Sequence, residues 1–294
     1  MSVAFVLSGG ASLGAIQVGM LRALVGHGVR PDVIVGTSVG ALNGAFLACR
    51  DFDEQTVDEL GALWLEVRRD EVFPVAPLTG LLGVLGVRSN LVAVGPLRQL
   101  ALRHVHCETL EDLPTPLHVV ACDMRTGAEV RLSEGPLVDA VLASAALPGI
   151  FPPVEWGDRL LIDGGVINNT PLTHALDLAA DQVYVLSTGG PCTLPEPPRG
   201  ALAIVIHATS LLVGQRFALE ALAIGARPGV TILPPPCPVD VHPTDFSHAG
   251  ELMARAEAVA RAFLRDHSAD VVALREHRRK RDAPTPLDGL PAAG

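Results

Sequence analysis

The chain alternates short, continuous apolar runs with stretches in which apolar residues recur at helical spacing, the pattern of buried strands joined by helices. Residues 1–7 predict a strand, and Ile16, Met20, Leu21 and Leu24 predict a helix running to about Val25. A second run, Val33, Ile34 and Val35, stops at Gly36, and a small-residue helix pattern starts after Gly40. Residues 54–68 form an amphipathic pattern with Val57, Leu60, Leu63, Trp64 and Val67 on one face, which makes Trp64 a core residue. Further helices are predicted over 96–104, 137–146 and 171–178, in a long region carrying Leu211, Leu212, Phe217 and Leu222, and over 247–265. Residues 117–122 and 129–132 predict a hairpin about Thr126-Gly127. Residues 150–154 read as extended, Trp156-Gly157-Asp158 as a turn and 159–162 as a returning strand, with further strands at 182–186 and 230–233. The alternation implies one α/β domain over residues 1–281 that ends in a basic helix, followed by a disordered tail at 282–294.

Composition changes this picture little but excludes some functions. The 294 residues are 49% hydrophobic and 18% charged, as in globular proteins. Lys+Arg number 22 against 32 Asp+Glu, a net charge of −10, which disfavours binding nucleic acid through a broad electrostatic surface. The 5 cysteines are scattered, without a Cys-x-x-Cys pair, which argues for reduced thiols in a cytosol-like compartment and against a zinc site. No Lys or Arg precedes Arg22, and Ser8-Gly9-Gly10 interrupts the first apolar run, so the expectation is a buried strand and not a signal peptide. Uncharged runs such as Val33–Cys49 fall near or below the length needed to cross a membrane.

The chemistry concentrates at three glycine-rich corners. Gly36-Thr37-Ser38-Val39-Gly40 has the Gly-x-Ser-x-Gly form of a nucleophile elbow, a turn so tight that the positions flanking the serine tolerate almost no side chain. The helix dipole would favour negative charge developing beside Ser38. By itself the pentapeptide reads equally well as an ordinary strand-to-helix turn. The loop Ser8–Gly14 lacks both the Gly-x-Gly-x-x-Gly spacing of a dinucleotide site and the Gly-Lys-Ser/Thr ending of a P-loop. Its successive amides at a helix start make an anion nest instead, which can serve as an oxyanion hole. Asp163-Gly164-Gly165 ends a strand. Alone it reads as a turn aspartate capping its own backbone, and beside the other two corners it becomes a candidate base.

The three corners together resemble the patatin-like phospholipase family. The resemblance extends to Ser144-Ala-Ala-Leu-Pro-Gly-Ile-Phe-Pro-Pro-Val154, to Asp163-Gly-Gly-Val-Ile-Asn-Asn-Thr-Pro171 and to Phe246-Ser-His-Ala, and it covers roughly residues 3–265. It implies a three-layer α/β/α fold with a mainly parallel sheet, and an acyl ester hydrolase with a Ser-Asp dyad. In that dyad Ser38 is the nucleophile and Asp163 the proton acceptor. Gly9, Gly10 and Ala11 form the oxyanion hole, and Gly36, Gly40, Gly164 and Gly165 support the two turns. The family loop usually reads Gly-Gly-Gly-x-Arg/Lys-Gly, so Ala11 and Leu13 depart from it. No cofactor or metal is implied. The expected partner is a lipid ester in a cytoplasmic setting, with peripheral contact at a membrane surface.

Other readings stand beside this one. A Ser-Asp-His triad would draw on His174, His207, His242 or His248, although Ser38 follows only the second strand, earlier than an elbow is expected in an α/β-hydrolase. A catalytically silent lipid binder would suit the departures at Ala11 and Leu13. Asn168 and Asn169 either shape the pocket or simply form the turn. The uncharged segment 72–87 is either packed core or a lid that meets apolar substrate or membrane, and the basic run 277–281 either touches anionic lipid or solvates a helix end.

Overall fold

The computed structural model describes residues 2–74, 89–189, 197, 200–225 and 227–266. The segment 72–87, read as either packed core or a lid, lies largely outside these residues, as do the basic run and the tail. Eight strands form one sheet: β1 (Val3–Leu7), β2 (Val33–Thr37), β3 (Leu117–Asp123), β4 (Glu129–Leu132), β5 (Val154–Trp156), β6 (Arg159–Asp163), β7 (Gln182–Leu186) and β8 (Val230–Leu233). Their order is β5-β6-β3-β2-β1-β7-β8, with β4 pairing beside β3. The pairings from β3 through β2, β1 and β7 to β8 are parallel, and those of β3 with β4, β3 with β6 and β5 with β6 are antiparallel.

Side-chain alternation along the strands divides the core in two, because successive residues of a strand face opposite sides. Phe5 and Leu7 of β1, Ile34 of β2 and Leu117, Val119 and Ala121 of β3 face one layer. Its helices are α1 (Ala15–Gly26), α2 (Val39–Ala48), α3 (Glu54–Glu66), the short α4 (Arg69–Val72), α5 (Gly95–His104) and α6 (Leu137–Ser144). Ala4, Val6, Val35, Val120, Val183 and Val185 face the other layer. There they meet Leu172 and Ala175 of α8 (Leu172–Asp177) and Ala221 of α9 (Ala201–Ile224). Between β6 and α8 lies a single turn, α7 (Gly165–Asn168), and the last described helix, α10 (Ala249–Asp266), packs on α1. The predicted three layers and mainly parallel sheet are present.

Local chemistry explains the connections. Asp53 caps α3 by accepting the Thr56 amide at 2.8 Å. Asp123 accepts the amides of Arg125 and Thr126 at 2.8 and 3.2 Å, closing the predicted hairpin and holding its carboxyl below the ordinary value. Helix α6 stops at Ser144, two residues before the prediction. Residues 147–151 turn, so the extended segment begins at Val154 and not at Ile150. Proline at 148 ends the helix by removing a donor.

One expectation is corrected. Cys49, Cys107 and Cys122 are free thiols, but Cys237 is disulfide-bonded. Wide spacing in sequence does not keep sulfurs apart once the chain folds, so the scattered cysteines do not assign a reducing compartment. Among the described residues, no helix is long and apolar enough to cross a membrane.

Candidate active site

The sheet assembles the three corners. β1 and β2 are adjacent and parallel, with Leu7 opposite Gly36, so the loop after β1 and the turn after β2 emerge side by side. This is the edge at which ligands bind in open α/β sheets. β6 enters antiparallel to β3 and sets Asp163 opposite Ala121, while Val120 lies opposite Thr37. Asp163 therefore ends its strand with only β3 between it and the strand that leads to Ser38.

Ser38 stands between β2 and α2 with φ 54 and ψ −121, a left-handed conformation that costs a non-glycine residue of order 1–3 kcal/mol. The flanking glycines are required by contact: a Cβ on Gly40 would lie 2.2 Å from the Leu7 carbonyl oxygen, and one on Gly36 2.6 Å from that of Gly40. The Ser38 hydroxyl donates to Asp163 Oδ2 at 2.7 Å. The Gly165 amide donates to Asp163 Oδ1 at 2.7 Å, while Gly164 crosses against the Val120 carbonyl oxygen, where a Cβ would come within 2.2 Å.

Both partners are buried, Ser38 at 8% and Asp163 at 2% exposure. Desolvation pushes the Asp163 carboxyl up to about 6, against the opposing pull of the Ser38 and Gly165 hydrogen bonds. A buried carboxylate with its affinity for protons raised in this way is matched to proton transfer near neutral pH.

The first loop is held from several sides. Gln17 Nε2 donates to the carbonyls of Ser8 and Leu186 at 2.8 and 3.2 Å, and Asn43 Nδ2 donates to Gln17 Oε1 and the Gly14 carbonyl. Thr188 Oγ1 donates to the Gly9 carbonyl at 2.6 Å. The Gly9 amide donates to the Asn169 carbonyl at 2.9 Å and is thereby occupied. Among the described residues the amides of Gly10 and Ala11 have no partner, which leaves them available to a developing oxyanion. Ala11 reaches this geometry at φ 50, a left-handed conformation usually filled by glycine. Leu13, at the position where the family carries a cation, packs against the core.

Beside Ser38 opens an apolar cavity of about 90 Å³, lined by Ala11, Leu42, Phe46, Leu63, Trp64, Phe73, Leu97, Ala101, Ala145, Leu147, Phe151 and Phe246 among others. Trp64 is core, as its helical position predicts, and its indole Nε1 also donates to Asn43 Oδ1 at 3.0 Å. Phe73 stacks on Phe151 with ring centroids 5.6 Å apart. The polar lining residues are held quiet: Asn43 is fully engaged, and burial lowers the proton affinity of His104.

Three of the four candidate histidines have partners elsewhere. His174 bonds Glu129 at 2.6 Å, His242 bonds Thr244 and His248 faces Asp245 and Glu251. Among the described residues no hydrogen bond joins a histidine to Ser38 or Asp163. Asn169 contributes to the site by accepting the Gly9 amide, whereas Asn168 bonds Glu129 at 2.7 Å.

Sequence reasoning gave no role to Ser144, Gln17, Asn43 or Thr188. Their side chains meet partners 9 to 180 residues away, and only the polar character of Gln17 and Asn43 among apolar helix neighbours signals a buried task.

A strained serine on a strand-to-helix corner, with a buried carboxylate on its hydroxyl, defines the class of α/β proteins built on a nucleophile elbow. Within that class the family model described as patatin-like phospholipase matches residues 5–176, and the chain belongs to this family. It is 32% identical over 197 residues to patatin-like phospholipase domain-containing protein 7 of Rattus norvegicus, covering 64% of this chain and 14% of that one. It is 31% identical over 190 residues to an uncharacterised NTE family protein of Mycobacterium tuberculosis, covering 64% of this chain and 49% of the relative. The chain thus spans half or less of these relatives. The crystal structure of VipD from Legionella pneumophila aligns with a TM-score of 0.49 at 17% identity, over 94% of this chain and 67% of that one.

Proposed function

We propose that this protein is a serine acyl ester hydrolase that releases fatty acids from phospholipids, lysophospholipids or related lipid esters through a Ser38-Asp163 dyad. The observation that carries the reading is the 2.7 Å hydrogen bond from Ser38 Oγ, which lines an apolar cavity, to a buried carboxylate. Membership of the patatin-like phospholipase family supports the lipid class.

In this mechanism Asp163 accepts the hydroxyl proton as Ser38 Oγ attacks the acyl carbonyl carbon. The amides of Gly10 and Ala11 hold the oxyanion, and the acyl chain lies in the cavity. When the tetrahedral intermediate collapses, the C–O bond to the alcohol breaks and Asp163 returns its proton to the departing alkoxide. Water then attacks the acyl-serine with Asp163 again accepting a proton; the bond from the carbonyl carbon to Ser38 Oγ breaks, Asp163 returns its proton to Oγ, and fatty acid leaves. Peripheral contact with a membrane surface supplies the lipid.

The test uses a fluorophosphonate probe and a p-nitrophenyl ester. We expect the wild type to be labelled at Ser38 and active, and Ser38→Ala and Asp163→Asn each to abolish turnover. Activity that survives in Asp163→Asn but is lost in one of His174→Ala, His207→Ala, His242→Ala or His248→Ala would replace the dyad by a triad. Absence of labelling in the wild type would favour a silent lipid binder. A lipid panel scored by free fatty acid then identifies the natural ester class.

A further inference from the structure

We propose that Ser144 is a positioning residue that sets the nucleophile and the base of the dyad relative to one another; the inference rests on the dyad reading above. Ser144 is the last residue of α6 and is fully buried. Its Oγ does two things at once: it accepts the Ser38 amide at 2.8 Å and donates to the Val120 carbonyl at 2.5 Å. Its own carbonyl accepts the Gly164 amide at 3.3 Å, and the Ala146 carbonyl accepts the Asp163 amide at 2.9 Å. One short segment therefore holds the main chain of the nucleophile through a side chain and the main chain of the base through two carbonyls. β2, β3 and β6 meet at this point.

The Ser38 main chain needs such a clamp. A left-handed φ of 54 persists in a non-glycine residue only where surrounding contacts fix it. The contacts of α2 begin beyond it, since the Ser38 carbonyl accepts the amides of Ala41 and Leu42 while its own amide faces away from the helix. Ser144 Oγ is the acceptor that amide meets, and the donation to Val120 ties the same oxygen to β3, the strand that pairs with both β2 and β6.

Removing the hydroxyl leaves the Ser38 amide and a Val120 lone pair facing a dry hole. The elbow then relieves its strain by rotating, and Ser38 Oγ leaves the line to Asp163. A displacement near 1 Å in a reacting group costs up to about 100-fold in rate. A hydroxyl that merely filled space would affect melting and nothing else.

The experiment compares wild type, Ser144→Ala and Ser144→Cys, the last keeping a weak donor and acceptor of similar shape. We expect Ser144→Ala to lower kcat and the fluorophosphonate labelling rate together by about 10- to 100-fold, with KM within about twofold because the acyl cavity stays lined as before. Ser144→Cys falls between. The acid limb of the pH–rate profile should also move to higher pH in Ser144→Ala, since the Ser38 hydrogen bond is one of the contacts holding the Asp163 proton affinity down. A folded Ser144→Ala with wild-type labelling rate and an unmoved acid limb overturns the proposal while leaving the dyad intact. If Ser144→Ala does not fold, wild-type labelling and profile in Ser144→Cys overturn it equally. A wild type that is neither labelled nor active overturns the dyad, and this inference with it.

Discussion

Asp163 should be a burden on stability at neutral pH, and replacing it with asparagine should stabilise the fold while destroying activity. Its carboxyl rises from 3.8 to about 6 on folding, chiefly through desolvation. At about 1.36 kcal/mol per tenfold change in proton affinity, this corresponds to about 3 kcal/mol. The sign follows from proton counting. Below the unfolded value both states hold the proton and folding loses nothing. Between that value and about 6 the unfolded chain releases a proton that the folded chain keeps, so stability falls as pH rises. Above about 6 the full penalty persists. Asparagine carries no charge, can accept the Gly165 amide through its oxygen and can donate its NH₂ to Ser38 Oγ. Asp163→Asn should therefore exceed the wild type by up to about 3 kcal/mol near pH 7.5 and by about half of that near pH 5. Urea unfolding followed by the fluorescence of Trp64 and Trp156 at the two pH values measures this double difference, in which the titration of other groups cancels. A variant no more stable than the wild type at either pH, or a gain independent of pH, would refute the linkage of burial to proton affinity at this site.

Three further outcomes follow from the same geometry. In the proposed dyad Asp163 acts as its carboxylate, so kcat/KM for a neutral ester should fall about tenfold per pH unit below an apparent pKa near 6, read from a pH–rate profile. Ala11→Gly should remove the strain of a left-handed alanine and raise stability by up to about 1 kcal/mol with activity retained, as checked by thermal melting and ester turnover; a clear loss of stability would show that the Ala11 methyl contributes more by packing than φ 50 costs. Ala101→Leu places three more carbons in the cavity wall and should shift the preferred p-nitrophenyl ester to shorter acyl chains at a cost of about 1–3 kcal/mol in stability, measured by a chain-length series and urea unfolding.

The strands β1, β2, β3, β7 and β8 were legible because buried strands are written as short, largely apolar and β-branched runs, and α3 because a one-sided helix shows its period. Ser38 and Asp163 were legible from the glycines around them, since close backbone approach leaves few residue choices. The single turn of α7 is too short to carry a period, and its asparagines signal only a turn. The occupied amide of Gly9 was hidden as well. Its acceptor, the Asn169 carbonyl, is a backbone atom that any residue possesses, so no side-chain pattern reports it.

By itself the sequence determined the order of elements, the elbow at Ser38, the acidic turn at Asp163 and the glycine loop at 8–14, all of which are local choices of apolar period and turn chemistry. Tertiary structure decided that they meet. A parallel pairing put the loop beside the elbow, and the antiparallel strand β6, whose direction no local propensity encodes, turned Asp163 back to within 2.7 Å of Ser38. It also decided the proton affinity of that carboxyl and the task of Ser144. Desolvation and hydrogen-bond geometry belong to the packed interior, where residues more than 100 positions apart become neighbours.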